Sequence, residues 1–150
     1  MTEHAANYGK PTGLSKDQLR AIVREWWGAM ERGDMAKVAS MLTDDMTWEV
    51  MYVGHLMPCS GVYKGKPMVE KELLAIFKSF YFPGQTRFEI MALYVDDPYV
   101  VMEFTINAVT AKGRPYKDVK YISVITIADG KIKYAREYPD ALAAEAGHLD

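Results

Sequence analysis

The chemistry available to this chain is proton transfer, because the side chains needed for most other reaction types are missing or badly placed. Of three histidines, His4 and His148 fall in expected tails and only His55 stands mid-chain. That is too few for a histidine-based zinc or iron centre, so no metal is expected. Cys59 is the only cysteine and has no disulfide partner within the chain. The sequence has no G-x-S-x-G, no glycine loop that could cradle phosphate and no G-x-G-x-x-G. Nucleophile-elbow, nucleotide and dinucleotide chemistry therefore lack a starting point, and no cofactor is expected. Carboxylates, tyrosines, lysines and His55 remain, and such groups act as acids and bases.

Composition narrows the partners in the same way. With 150 residues, 49% hydrophobic and 25% charged, the chain has the size of one ordinary domain with a sizeable core. The net charge of -2 comes from interspersed signs with no basic run, so neither nucleic acid nor an anionic membrane surface is an expected partner. No apolar stretch approaches the ~20 residues of a membrane span, and the first 13 residues lack the apolar segment of a signal peptide. A cytoplasmic location is the default expectation, and an unpaired cysteine fits it.

The elements that would position reactive groups follow from periodicity. Residues 1–13 read as a flexible lead-in and 14–150 as one domain. Ser15-x-x-Gln18 forms a capping box, and Leu19, Ile22, Val23, Trp26 and Met30 mark one face of a helix that Gly33 stops. Asp34 caps a shorter helix carrying Val38, Met41 and Leu42. A strand at 46–52 precedes a loop at 53–66, and Pro67 opens a third helix with Val69, Leu73, Ile76, Phe77 and Phe80. The period then changes to two, with strands at 87–95, 99–110, 117–128 and 131–138 joined by short turns, which forces antiparallel neighbours. Asp129-Gly130 is the strongest of the hairpin signals, and 141–146 can add a short helix.

This order contains Gly33-Asp34, Leu42-Thr43-Asp44-Asp45-Met46-Thr47-Trp48, Gly61-x-Tyr63-x-Gly65-Lys66, Asp129-Gly130-Lys131-Ile132 and Arg136-Glu137-Tyr138-Pro139-Asp140. It resembles the SnoaL-like branch of the nuclear transport factor 2-like superfamily over nearly everything after residue 14. The resemblance implies a cone-shaped α+β barrel in which three N-terminal helices pack on the concave face of a curved, mostly antiparallel sheet. A pocket then opens between helices and sheet, and the family habit of pairing sheet to sheet implies a homodimer through the convex face. The superfamily includes isomerases, cyclases, dehydratases, carbon-carbon lyases, an epoxide hydrolase and non-catalytic binding proteins, so fold alone does not fix the reaction.

Aligned on those segments, Glu137 falls where limonene epoxide hydrolase and SnoaL-type cyclases carry an acid-base aspartate, and it is the principal catalytic candidate. Glu103, Tyr121, Lys120 and His55 are candidate partners. Trp26, Trp48, Val50, Ile76, Phe77, Phe80, Thr105, Asn107 and Val119 are the expected substrate-binding residues. The alignment turns Glu103, Thr105 and Asn107 inward and Met102, Phe104 and Ile106 outward, with Asn107 opposite Val119, Thr105 opposite Tyr121 and Glu103 opposite Ser123. A slip of one residue would exchange Tyr121 for Lys120. The hydrolase's other polar residues fall on Glu103, Thr105, Val50 and Trp48, and the ketosteroid isomerase base falls on Val50, so neither apparatus is complete.

The resulting expectation is a cofactor-independent acid-base enzyme of aldol or retro-aldol type, a cyclase, isomerase, dehydratase or carbon-carbon lyase, acting on a hydrophobic cyclic or aromatic small molecule. The alternatives are an epoxide hydrolase with a rearranged site and a ligand-binding protein without catalysis. Individual residues carry simpler readings too. Glu103 can pair with Lys120 or Lys133 on the surface, Tyr116 and Tyr121 can be packed rings with satisfied hydroxyls, and His55 can be a surface-loop residue.

Overall fold

The computed structural model describes residues 9–52 and 57–149. Helix α1 (Lys16–Glu31) begins at the expected capping box, with Ser15 accepting from the Gln18 backbone N–H and the Gln18 side chain accepting from the Ser15 N–H. Its buried face carries Leu19, Val23, Trp26, Trp27 and Met30. Gly33, at φ +70°, makes the turn that the chain needs before Asp34 caps α2 (Met35–Ser40). That helix is shorter than its apolar spacing suggests, since Leu42 already belongs to strand β1 (Leu42–Val50).

The predicted 53–66 loop holds a short strand, β2 (Gly61–Lys64), paired antiparallel to β1. His55 lies outside the described residues. The third helix is a continuous run in three pieces: α3 (Lys66–Met68), a π-helical turn (Val69–Leu73) and α4 (Leu74–Phe80). In the π turn the Leu74 N–H bonds to the Val69 carbonyl, five residues back, and the extra residue rotates everything after it. Leu73 and Leu74 are both buried as a result.

Strands β3 (Arg87–Asp96), β4 (Tyr99–Val109), β5 (Pro115–Ala128) and β6 (Lys131–Pro139) form the expected meander. The six-stranded sheet runs β2-β1-β6-β5-β4-β3, antiparallel except for the parallel pair β1 and β6. That pair brings the end of β1 beside Glu137. Helix α5 (Ala141–His148) then turns back against β5. Thr12 and Gly13 donate to the Asp97 carboxylate at the β3–β4 turn. Among the described residues no helix is long and apolar enough to cross a membrane.

One expectation is overturned. Phe104 pairs with Tyr121, Thr105 with Lys120, Glu103 with Ile122 and Ile106 with Val119, a register one residue from the aligned one. Met102, Phe104 and Ile106 are buried against the helices, so Glu103, Thr105 and Asn107 point to the convex face, as does the exposed Lys120. The physical cause is twofold. An apolar row gains more by burial under helices than a polar row does, and an irregularity near Asn107 shifts the pairing. There Asp118 adopts φ +49° and its N–H donates to the Asn107 side-chain oxygen, so Asn107 fixes backbone rather than facing the cavity.

Candidate active site

A cavity of about 280 Å³ lies between the end of α1, α4 with the segment after it, and the concave face of the sheet. Its apolar wall includes Trp27, Val50, Phe77, Phe80, Phe88, Phe104 and Ile106, while Glu137, Tyr52, Tyr81 and Tyr121 supply polar groups. The size sits near the lower end of the range for small-molecule pockets, roughly 300–1,000 Å³.

Glu137 reaches this wall because its strand position alternates with Arg136 and Tyr138, which face the convex side. Only 4% of Glu137 is exposed. Trp48, on neighbouring β1, donates its indole Nε1–H to Oε1 at 3.1 Å. Burial pushes the carboxyl's pKa up to about 8, and the Trp48 hydrogen bond opposes that rise without cancelling it. The group therefore exchanges protons near neutrality.

Next to it is a cluster of tyrosine hydroxyls. Tyr121 bonds to Tyr52 at 3.2 Å and to Tyr116 on its other side, while Tyr81 packs its ring on Tyr116. Burial raises the pKa of all four, that of Tyr121 and Tyr81 well above the usual value, so they stay protonated. They are hydrogen-bond donors rather than phenolates. Tyr121 is held flat on Phe104, the ring centroids 5.0 Å apart. Cys59, fully buried nearby, is pushed up to about 12 by burial and by the Glu137 charge, so it is a thiol and not a nucleophile.

Behind the cluster, the His148 ring on α5 lies against Phe80, Tyr81 and Tyr116. Burial, with a smaller contribution from Lys112, lowers its pKa to about 4. The imidazole is neutral at physiological pH and backs the aromatic wall from behind, on a helix rather than in a tail. Arg114 holds the end of this helix by donating to the carbonyls of Ala146 and Leu149.

Of the residues singled out from sequence, the structure brings Glu137, Tyr121, Val50, Phe77 and Phe80 to the cavity, with Trp48 directly behind Glu137. Trp26 and Val119 are core residues, Trp26 packing on Trp27 and Trp48. Ile76 is absent from the cavity wall because the π turn rotates it away. Glu103, Lys120, Thr105 and Asn107 lie on the opposite face of the sheet. Tyr52 was within reach of sequence reasoning, since it continues the Trp48, Val50 alternation. Tyr116 is the packed ring with a satisfied hydroxyl that the sequence allowed, but its place beside Tyr121 was not legible, because the bulge at Asp118 changes which residues of β5 face inward.

Among the described residues no cluster of three or more histidine, cysteine or acidic side chains could hold a metal ion. The polar groups that do converge, one carboxyl and several neutral hydroxyls, suit proton removal beside a hydrogen-bonded oxygen.

Comparison with known proteins gives the same architecture. A model of the SnoaL-like domain matches residues 23–135. Curated proteins include none that matches the chain. An NTF2-like protein of unknown function from Burkholderia pseudomallei superposes with a TM-score of 0.78 at 17% identity, covering 91% of this chain and 100% of that one. TerC, crystallised with polyporic acid, gives 0.75 at 18% identity, covering 87% and 97%. A candidate isomerase from Bacillus subtilis gives 0.71 at 23% identity, covering 87% and 92%. At these identities the likeness is one of fold.

Proposed function

Given that the chain belongs to the SnoaL-like domain family, we propose that it is an acid-base enzyme in which Glu137 moves a proton on a small hydrophobic cyclic or aromatic carbonyl compound. The observation that carries this reading is the Glu137 carboxyl itself, buried at the cavity wall, one oxygen held by Trp48 and its pKa raised to about 8. At pH 7 about a tenth of the protein then carries the base form, and its conjugate acid is strong enough to return the proton.

The step follows from the surrounding groups. The carboxylate takes a proton from carbon next to a carbonyl, the electron pair shifts onto the carbonyl oxygen, and a tyrosine O–H, best placed on Tyr52 or Tyr121, hydrogen-bonds that oxygen as it gains charge. The neutral Glu137 then gives the proton back, to carbon in an isomerisation or to the new alkoxide in an aldol addition. Retro-aldol cleavage uses the same groups in the opposite order, whereas in dehydration the carboxylate again removes the proton next to the carbonyl and the neutral carboxyl then gives it to the departing hydroxide, which leaves as water. Tyr121 remains a partner in this reading, while Glu103 and Lys120 do not, since they lie behind the sheet. The aromatic wall favours flat substrates, and TerC's crystallisation with polyporic acid supports a small organic ligand in a cavity of this fold.

The test is solvent-deuterium exchange, followed by mass spectrometry, on a panel of aromatic and polycyclic hydroxy-carbonyl compounds. Glu137→Gln is expected to slow exchange by roughly 10²–10⁴-fold. Undiminished exchange in that variant overturns the assignment. Oxygen from labelled water appearing in epoxide products would point instead to hydrolysis, and a panel that binds without exchange would point to a binding protein.

We also propose that two copies associate through the convex face. Tyr94, Ile122 and Tyr138 support it, being 57%, 42% and 43% exposed on the side of the sheet away from the cavity.

A further inference from the structure

The sheet places an unexplained serine beside Glu137. Ser123 on β5 is the direct antiparallel partner of Glu137 on β6, and both belong to the row that runs from Val50 on β1 to Met102 on β4. Val50, Met102 and Ser123 are all buried, Ser123 completely. Its hydroxyl has no hydrogen-bond partner among the described residues. An orphaned buried hydroxyl costs stability, and a methyl group would fill this position at no such cost.

Directly opposite residues on one face of a sheet have Cβ atoms about 4.5–5.5 Å apart. In the structure the two side chains do not bond; a turn of the Ser123 side chain toward the carboxyl across that gap brings its hydroxyl within hydrogen-bonding reach. Trp48 already donates to Oε1, and Oε2 takes no hydrogen bond among the described residues. The two neighbours differ in kind. An indole N–H can only donate, so it serves the carboxylate, whereas a hydroxyl donates to the carboxylate and accepts from the acid.

We infer that Ser123 is a positioning residue for Glu137, its hydroxyl rotating to follow the proton as the carboxyl alternates between acid and base. The inference rests on the role assigned to Glu137 above. It assigns to Ser123 no contact with substrate. The other groups around the carboxyl leave this task open. Tyr52 two residues past β1, Tyr121 on β5 and Cys59 on the segment before β2 are all neutral and titrate far above it. Phe77 and Phe80 on α4 carry no polar atom, and no charged side chain among the described residues acts on Glu137.

The experiment is a carbon-13 NMR titration of the Glu137 side-chain carboxyl in the full chain without substrate, the signal being assigned by its loss in Glu137→Gln. Ser123→Ala is expected to raise the titration midpoint by about one pH unit, a tenfold fall in the ionised fraction at a given pH below the midpoint. Ser123→Thr, which keeps the hydroxyl, is expected to restore the wild-type midpoint. Ser123→Ala is also expected to lose more melting temperature at pH 9, where Glu137 is ionised, than at pH 5, where it is protonated, a pH dependence that a purely structural serine would not give. If the alanine variant does not fold, Ser123→Cys, with its weaker donor, supplies the same upward shift. A midpoint unmoved in Ser123→Ala, or in Ser123→Cys where that is the variant measured, overturns the inference. This readout needs no turnover, so it stands apart from the exchange test: exchange that survives Glu137→Gln removes the enzyme reading, whereas an unmoved midpoint removes only the role of Ser123.

Discussion

Glu137 is held where a carboxylate is unstable, and that conflict has a measurable cost. In the folded chain its proton stays on up to about pH 8, while the ordinary value is 4.5. Between those values the folded state binds more protons than the unfolded state, so stability is full below pH 4.5 and falls as pH rises through 8. Over that window the loss is on the order of 5 kcal/mol at most. Glutamine is neutral throughout and keeps a donor and an acceptor. Glu137→Gln is therefore expected to melt close to wild type at pH 4.5–5 and higher by on the order of 10 °C at pH 8 to 9, in calorimetric scans across that range. A melting difference that does not grow with pH would mean that the carboxyl is solvated in solution. Coupled with lost proton exchange in the same variant, the gain would locate the conflict between stability and activity at one atom group.

Elements carry the site less by their presence than by their phase. Helix spacing, the capping box and the Asp129-Gly130 hairpin were legible because they depend on local chemistry. The inward set of β4 was not read correctly, since the alignment placed Glu103, Thr105 and Asn107 in the cavity against the plain apolar pattern of Met102, Phe104 and Ile106. The pattern prevailed, as the buried face must be the apolar one. The π turn displaced Ile76 for a different reason, a backbone insertion that no side-chain period encodes. Helix α5 was legible only as a short helix, and its role came from contacts across the chain. A Cβ on Gly147 would stand 2.5 Å from the Tyr116 ring, so Gly147→Ala is expected to lower stability by about 1–3 kcal/mol and to lift His148 off the tyrosine cluster. Chemical denaturation measures the first effect. The second is read from the His148 titration, which should rise from about 4 toward its ordinary value as the ring gains solvent; a midpoint that stays low would show that α5 is not what buries it.

At the scale of the whole molecule, the two faces of the sheet divide the work. The concave face spends its apolar row on the helices and the cavity. On the convex face, Arg136 holds Glu49 at 2.6 Å and also bonds to the hydroxyls of Tyr134 and Tyr138, an ordered polar cluster beside apolar side chains. Ile122 and Tyr138 are register partners, and they sit one residue along the chain from Ser123 and Glu137. A copy docked there would cover the outer face of the strands that carry Ser123 and Glu137. An apolar pair next to fixed charges suits a specific interface better than bare solvent exposure does. Wild-type protein is expected to sediment at twice the 17.0 kDa mass of the chain, and Ile122→Glu, which puts a charge at the centre of that face, at the single-chain mass. The Glu137 titration midpoint should be unmoved in the variant, because the substituted side chain points away from the cavity. Wild-type sedimentation at the single-chain mass at micromolar concentration would leave the convex face to solvent, and the strand positions around Glu137 would then be held by the concave packing alone.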